Sequence, residues 1–302
     1  MNSLHLTHRD RQGLYGVLYI FPVMMIIVVF DLIPIVMALF FSFTEFNILQ
    51  PPKWIGFDNY RRIISSKNFL AALVNTIEYV VITVPIQTIL ALIIAVFIAE
   101  KMRDSKYGGF LKGTIFIPVV ISNIAAAAVW RTMFQTKSGV VNVILGFLGI
   151  GEQNWLGSKT LALICVCIVA IWKNVGYYMV IYFAGVIGID HDVQEAAVID
   201  GANDMQRLRY VTVPMLQHIT YMVVTVGIIN SFQLFDVVYQ LTGGGPGNAT
   251  MTLAYLVYKY AFSNQKMGYA SAMAIFLLIF VLIVQTLQNL LFKDNELDKE
   301  ES

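Results

Sequence analysis

Between two long apolar runs the chain reads EAAVIDGANDMQRLRYVTVP, from Glu195 to Pro214. In a sequence that is 58% hydrophobic, this polar island broken by a glycine is where water-facing chemistry concentrates. The small side chains of Ala196 and Ala197 beside Glu195 let a partner's groove approach the backbone of a short helix closely. Asp192 is placed to cap that helix, and Gly201 supplies a chain reversal. Met205, Leu208, Tyr210 and Val211 are spaced as a second short amphipathic helix. Pro214 suits the first turn of the apolar run that follows, where its missing N–H is harmless. The stretch reads as a docking surface presented by a protein that is otherwise mostly membrane.

Composition supports that frame. With 302 residues, a mean hydropathy of +0.70 and 13% charged residues, the chain lies outside the soluble globular class. Spans need about 20 apolar residues, and the pattern gives about six of them: Leu14 to Phe43, Ala71 to Ala99, Leu111 to Phe134, Leu161 to Ile187, Met215 to Leu241 and Gly268 to Leu291. Arg9 and Arg11 precede the first run, which is too long for a leader and reads as an uncleaved anchor. The cluster Lys101, Arg103, Lys106 and Lys112 favours the inside for its loop, and an even span count places both termini there too. A net charge of +1 predicts no nucleic-acid partner. Cys165 and Cys167 share one apolar span, and the four histidines show no ligand spacing, so neither a disulfide framework nor a metal site is expected.

Other stretches are less regular. Val140 to Leu148 is apolar but too short to span, and reads as an interfacial helix. Asp294 to Ser302 is acidic and reads as a frayed tail. The run Gly243 to Gly247, which includes Pro246, allows a tight turn, but it lacks the Lys-Ser or Lys-Thr pair of a phosphate-binding loop.

Polar side chains at bilayer depth are costly and mark either a solute path or a helix contact. Asn230, Ser231, Gln233, Asp236 and Tyr239 lie in the fifth run, and the spacing of the last three places them on one helical face. Their amides, carboxylate and ring are the groups that recognise sugars. Pro118, Ser122 and Asn123 mark a kink in the third run, with Asn123 a candidate for the path. Lys173 in the fourth run needs water or an acid beside it, and Asp236 is the expected partner. Asn75, Glu78 and Gln87 read as packing contacts.

The Glu195 to Pro214 stretch resembles the coupling loop of ABC importer permeases. Their pattern of Glu-Ala-Ala, Asp-Gly-Ala, apolar residues and Pro is carried here by Glu195, Ala196, Ala197, Asp200, Gly201, Ala202, Val211, Val213 and Pro214. WIGFDNYRRI, Trp54 to Ile63, resembles an external segment of sugar-type permeases. SFQLFDVVYQLTGGGPGNAT, Ser231 to Thr250, is similar to that of permeases for di- and oligosaccharides or glycerol phosphates. The resemblance implies an all-α integral membrane protein of the type I importer fold and the first permease of a maltose-like pair. It places a tail, first span and outer loop in residues 1–70, a permease core in 71–292 and a cytoplasmic tail in 293–302. Lys173, Asn174 and Tyr178 would then lie beside the translocation path.

The resemblance further implies transport rather than catalysis, with no cofactor on this chain and ATP and Mg on a separate ATPase. Two such ATPases, a second homologous permease, an extracytoplasmic solute-binding protein and the lipid bilayer are the implied partners. The implied location is the inner membrane of a bacterial or archaeal cell, with both termini and the coupling loop cytoplasmic. A permease for a non-sugar solute and a secondary transporter are the alternatives. The second would need internal repeats with broken helices meeting at the midplane.

Overall fold

The chain is built from helices whose hydropathy dictates their length. The computed structural model describes residues 19–102 and 105–300. In order these are α1 (Tyr19–Ser42), a hairpin of β1 (Thr44–Asn47) and β2 (Gln50–Trp54), α2 (Asp58–Ile64), α3 (Lys67–Lys101), α4 (Lys106–Val120), α5 (Asn123–Met133), α6 (Val140–Phe147), α7 (Lys159–Ile187), α8 (His191–Ile199), α9 (Asp204–Met215), α10 (Gln217–Phe232), α11 (Asp236–Leu241), α12 (Leu253–Tyr258) and α13 (Met267–Glu300). Four of them, α1, α3, α7 and α13, are each long and apolar enough to cross a membrane. The bent pairs α4–α5 and α9–α10 raise that number to six if each pair is one span.

Several expectations are corrected. The kink expected at Pro118, Ser122 and Asn123 is there, but as a break in the helix: the third span turns by 99° between Val120 and Asn123. Pro118 offers no N–H to the preceding turn, and Ser122 starts a new helix in an extended conformation, with ψ 137°. The fifth span is not continuous from Met215 to Leu241, because its helix stops at Phe232 and restarts at Asp236. The Thr252 hydroxyl donates to the Leu234 carbonyl at 2.7 Å and occupies an acceptor that a continuing helix would use. Pro214 does not open α10; it sits inside α9, beside a widened turn at Leu208–Thr212, and the chain then bends by 70° at Leu216. Helix α13 runs on through the acidic stretch to Glu300. The expected start of the first span, residues 14–18, and Arg9, Arg11 and Arg103 lie outside the described residues.

Two units are distinguishable, residues up to Ile63 with Lys259–Phe276, and Ile64–Tyr258 with the chain from Leu277 onward. In the first, the apolar window of α1 is nowhere buried by the chain, as suits a helix facing lipid. The outer loop after α1 holds the hairpin, pairing Thr44 with Trp54 and Asn47 with Gln50. Asn59 of α2 donates to the carbonyls of Ser42 and Thr44, both at 2.9 Å, and Tyr60 donates to Ser42 Oγ at 2.7 Å. Phe43, Trp54, Phe57 and Tyr60 pack face and edge around them. The WIGFDNYRRI segment thus closes the hairpin onto the end of α1.

In the second unit α3 and α7 form the core. Ala91, Ala95 and Ile98 of α3 bury completely against Tyr178, Met179 and Tyr182 of α7, with Leu216 and Val223 completing the cluster. Alanines let these backbones come close, which supplies the dispersion contact that drives helix association in lipid. Gly176 does the same for α4: a Cβ there would strike the main-chain carbonyl of Ile115.

Candidate functional site

Two sites emerge, a polar cavity among the spans and the exposed loop of α8 and α9. The cavity, about 410 Å³, is lined by Asn123, Lys173, Asn174, Tyr178, Asn230, Ser231, Gln233 and Asp236, and also by Tyr79, Gln87 and Phe235. Of the residues expected along a path, all but Tyr239 line it. Helix breaks bring them together: Asn123 opens α5, Gln233 caps the end of α10 and Asp236 opens α11. Because of the second break, Gln233, Asp236 and Tyr239 do not share one helical face. Tyr239 instead joins an aromatic cluster with Phe235, Tyr255 and Tyr258, at centroid distances of 4.6 to 6.4 Å.

The expected Lys173–Asp236 ion pair is not made. Lys173, only 7% exposed, donates from Nζ to the Val119 carbonyl at 3.0 Å, while the Asp236 carboxylate accepts from Asn123 Nδ2 at 3.0 Å. The break leaves the last carbonyls of α4 without helical partners, and they attract the ammonium. Asn230 Nδ2 donates to the Tyr178 hydroxyl at 3.4 Å. Gln87, which reads from sequence as a packing residue, is fully inside with Oε1 lacking a hydrogen-bond partner. A lone amide in an apolar run gives no sign of which way it faces. Asn75 likewise has a task, since its amide donates to the carbonyls of Asn248 and Met251 and ties down the Gly-rich loop. In that loop Gly244 has φ +81°, and a Cβ would press on the Tyr255 ring.

The loop site presents a different chemistry. Asp190, not Asp192, caps α8, its carboxylate accepting from the Asp192 N–H at 3.2 Å. The cap falls one residue before the helix, at the position where an extended backbone lets the side chain turn back. Glu195 and Ala196 are exposed and Ala197 is half-buried. Asp200 ends the helix and Gly201, at φ +81° with open space around it, reverses the chain into Ala202. Asn203 and Gln206 then form a reciprocal capping box for α9. Ile199, Met205 and Tyr210 stand 83%, 68% and 69% exposed, with the Arg209 guanidinium 5.9 Å from the Tyr210 ring centre.

Ionic contacts clamp this loop to the end of α3. Arg207 bonds Glu100 at 2.8 Å, both about a fifth exposed, and Lys101 bonds Asp204 at 2.9 Å in the open. The Lys101 ammonium holds the Asp204 carboxyl below its usual range. Among the described residues, no cluster of His, Cys, Asp and Glu could hold a metal ion.

The model of the family described as binding-protein-dependent transport system inner membrane component matches residues 16–295. The chain belongs to that family. This permease is 31% identical over 284 residues to the trehalose/maltose transport system permease protein MalF of Thermococcus litoralis, covering 94% of both chains. It is 31% identical to the arabinooligosaccharides transport system permease protein AraP of Bacillus subtilis, over 88% of this chain and 85% of that one. Its fold matches the crystal structure of a bacterial ABC transporter involved in the import of the acidic polysaccharide alginate. That match has a TM-score of 0.82 and 21% identity, over 95% and 96% of the two chains. A second structure of the alginate transporter, in complex with an alginate pentasaccharide-bound periplasmic protein, matches with a TM-score of 0.81 and 20% identity, over 93% and 94% of the chains. The permease is therefore an inner-membrane transport component.

Proposed function

We propose that this permease forms, with a second and similar permease, the path of an ATP-driven importer for a carbohydrate, a di- or oligosaccharide or a related solute. The observation that carries this reading is the cavity of amides, one carboxylate and tyrosines enclosed by apolar spans. Such groups combine planar hydrogen bonding with ring contact, and they are costly at bilayer depth without a solute or water to meet. The relatives named for trehalose, maltose and arabinooligosaccharide transport favour the same substrate class. A solute-binding protein delivers the sugar at the outer loops, and both termini lie in the cytoplasm.

In this proposal two ATPase subunits hold ATP and Mg, and one of them receives α8 and the chain through Ala202 in a surface groove. The exposed Ile199, Met205 and Tyr210 supply the apolar contact, and the small side chains of Ala196 and Ala197 admit close approach. A displacement of the loop reaches the cavity through α3. Arg207 grips Glu100, and Gln87 lies thirteen residues earlier on the same helix, about 20 Å away at the rise of an α-helix. The packed alanines of α3 against α7 make that transfer stiff. No bond of the sugar changes; the work is vectorial.

The test is uptake by proteoliposomes containing this permease, its companion permease, ATPase and binding protein. ATP-dependent uptake of a radiolabelled oligosaccharide, reduced at least tenfold in Asp236→Ala, is expected. Uptake of an amino acid or phosphate but no sugar would favour the non-sugar permease instead.

A further inference from the structure

We propose that Lys173 is the latch that holds the third span broken. In an uninterrupted α-helix the Val119 carbonyl would accept the amide N–H of Asn123, four residues on. The 99° turn between α4 and α5 removes that bond. The acceptor is taken by Lys173 Nζ at 3.0 Å, and Asn123, which carries the donor, starts a new helix with its side chain on Asp236. The acceptor of the missing backbone bond is therefore engaged by another helix, and the residue that carries its donor is held in the new direction by its side chain.

The surroundings fit a latch. Val119 lies in the last turn of α4, where unpaired carbonyls form the negative end of the helix and suit a cation. An unpaired carbonyl inside an apolar span is costly, so removing the ammonium leaves the chain two choices: admit water or remake the helix. Register keeps the latch within reach. Ile115 and Val119 are one turn apart on α4, Lys173 and Gly176 nearly so on α7, and Gly176 abuts the Ile115 carbonyl with no room for a Cβ. Pro118 weakens the same turn but cannot hold the new direction, because it only removes a donor. Lys173 is thus a positioning residue: it sets the direction of α5 and with it the place of Asn123 in the cavity wall.

The bend is measurable by spin labels at Phe110 and Val129, which are 76% and 61% exposed. From the helical rise, these positions are about 18 Å apart across a 99° turn and about 28 Å apart in a straight helix. The chain is assembled with its companion permease and ATPase in nanodiscs, with Cys165 and Cys167 replaced by alanine. The short distance is expected for wild type and Lys173→Arg, and a population near the long distance for Lys173→Met, with uptake down at least tenfold. Adding Asn123→Pro to Lys173→Met restores the short distance, because proline has no N–H to return to Val119, and Ser122 already has the extended backbone that a following proline requires. Lys173→Met that loses uptake yet keeps the short distance would overturn the latch and make Lys173 a solute contact. If Lys173→Met does not assemble, recovery of assembly in the double variant supports the latch and continued failure overturns it. The distances do not depend on the transport reading, which fails separately if the wild-type complex takes up no sugar.

Discussion

Replacing Glu100 by alanine isolates the clamp between the α8–α9 loop and α3. Arg207 Nη2 lies 2.8 Å from Glu100, with side chains 18% and 19% exposed, and its remaining acidic neighbour, Asp204, is 3.5 Å away. Its Nε is already buried without a partner. A hydrogen bond to a charged group contributes about 1.5–3 kcal/mol, and the limited exposure argues against the small value of open surface pairs. Taking about 2 kcal/mol, the loop should open about 30-fold more often. The assay is amide hydrogen exchange in nanodiscs. Glu100→Ala should speed exchange across Asp204 to Thr212 by about that factor while the middle of α3 stays protected. Arg207→Ala should do the same, and the double variant should cost less than the sum of the two. Exchange in Glu100→Ala within threefold of wild type would mean that the contact is no clamp and adds little to holding the loop on α3.

Gly176→Val should lower the thermal midpoint of the detergent-solubilised complex by forcing α7 off the Ile115 carbonyl, an overpacking cost of about 1–3 kcal/mol. Gly113→Ala on α4, which meets nothing within 4 Å, is the control and should not. Asn142→Ala should destabilise the segment from Thr136 to Trp155 by about 2 kcal/mol. Its amide donates to the carbonyls of Thr136 and Gln153, and its oxygen accepts from the Gln153 N–H and Trp155 Nε1, so a red shift of Trp155 emission reports the loss.

What was legible in the sequence follows from contrast. The Glu195 to Pro214 island stands out because it is polar between apolar runs, and Gly201 does take the left-handed conformation. Polar side chains near Asn230 and Lys173 stand out for the same reason, and they do share one cavity. Features set by tertiary partners were not legible. No Gly or Pro separates Phe232 from Asp236, so the end of α10 depends on a hydroxyl arriving from Thr252. The hairpin was hidden by Pro51 and Pro52, which argue against a strand yet are tolerated where every strand is an edge. Asp190 competes with Asp192 for the cap two residues away, and only the backbone decides between them. Lys173 advertised its need for a partner, but a backbone carbonyl released by a helix break has no signature in sequence.

In the proposed mechanism the loop through Glu195 and Gly201 engages an ATPase and passes its motion to the cavity. The most direct measurement is sugar uptake together with ATP hydrolysis in proteoliposomes of the full complex, with and without Glu195→Lys plus Gly201→Asp. Both substitutions fall on exposed positions, Glu195 on α8 and Gly201 in the turn after it. The double variant is expected to insert and pair with its companion permease but no longer retain the ATPase, with uptake falling to background. A variant that retains the ATPase and transports at the wild-type rate would contradict it.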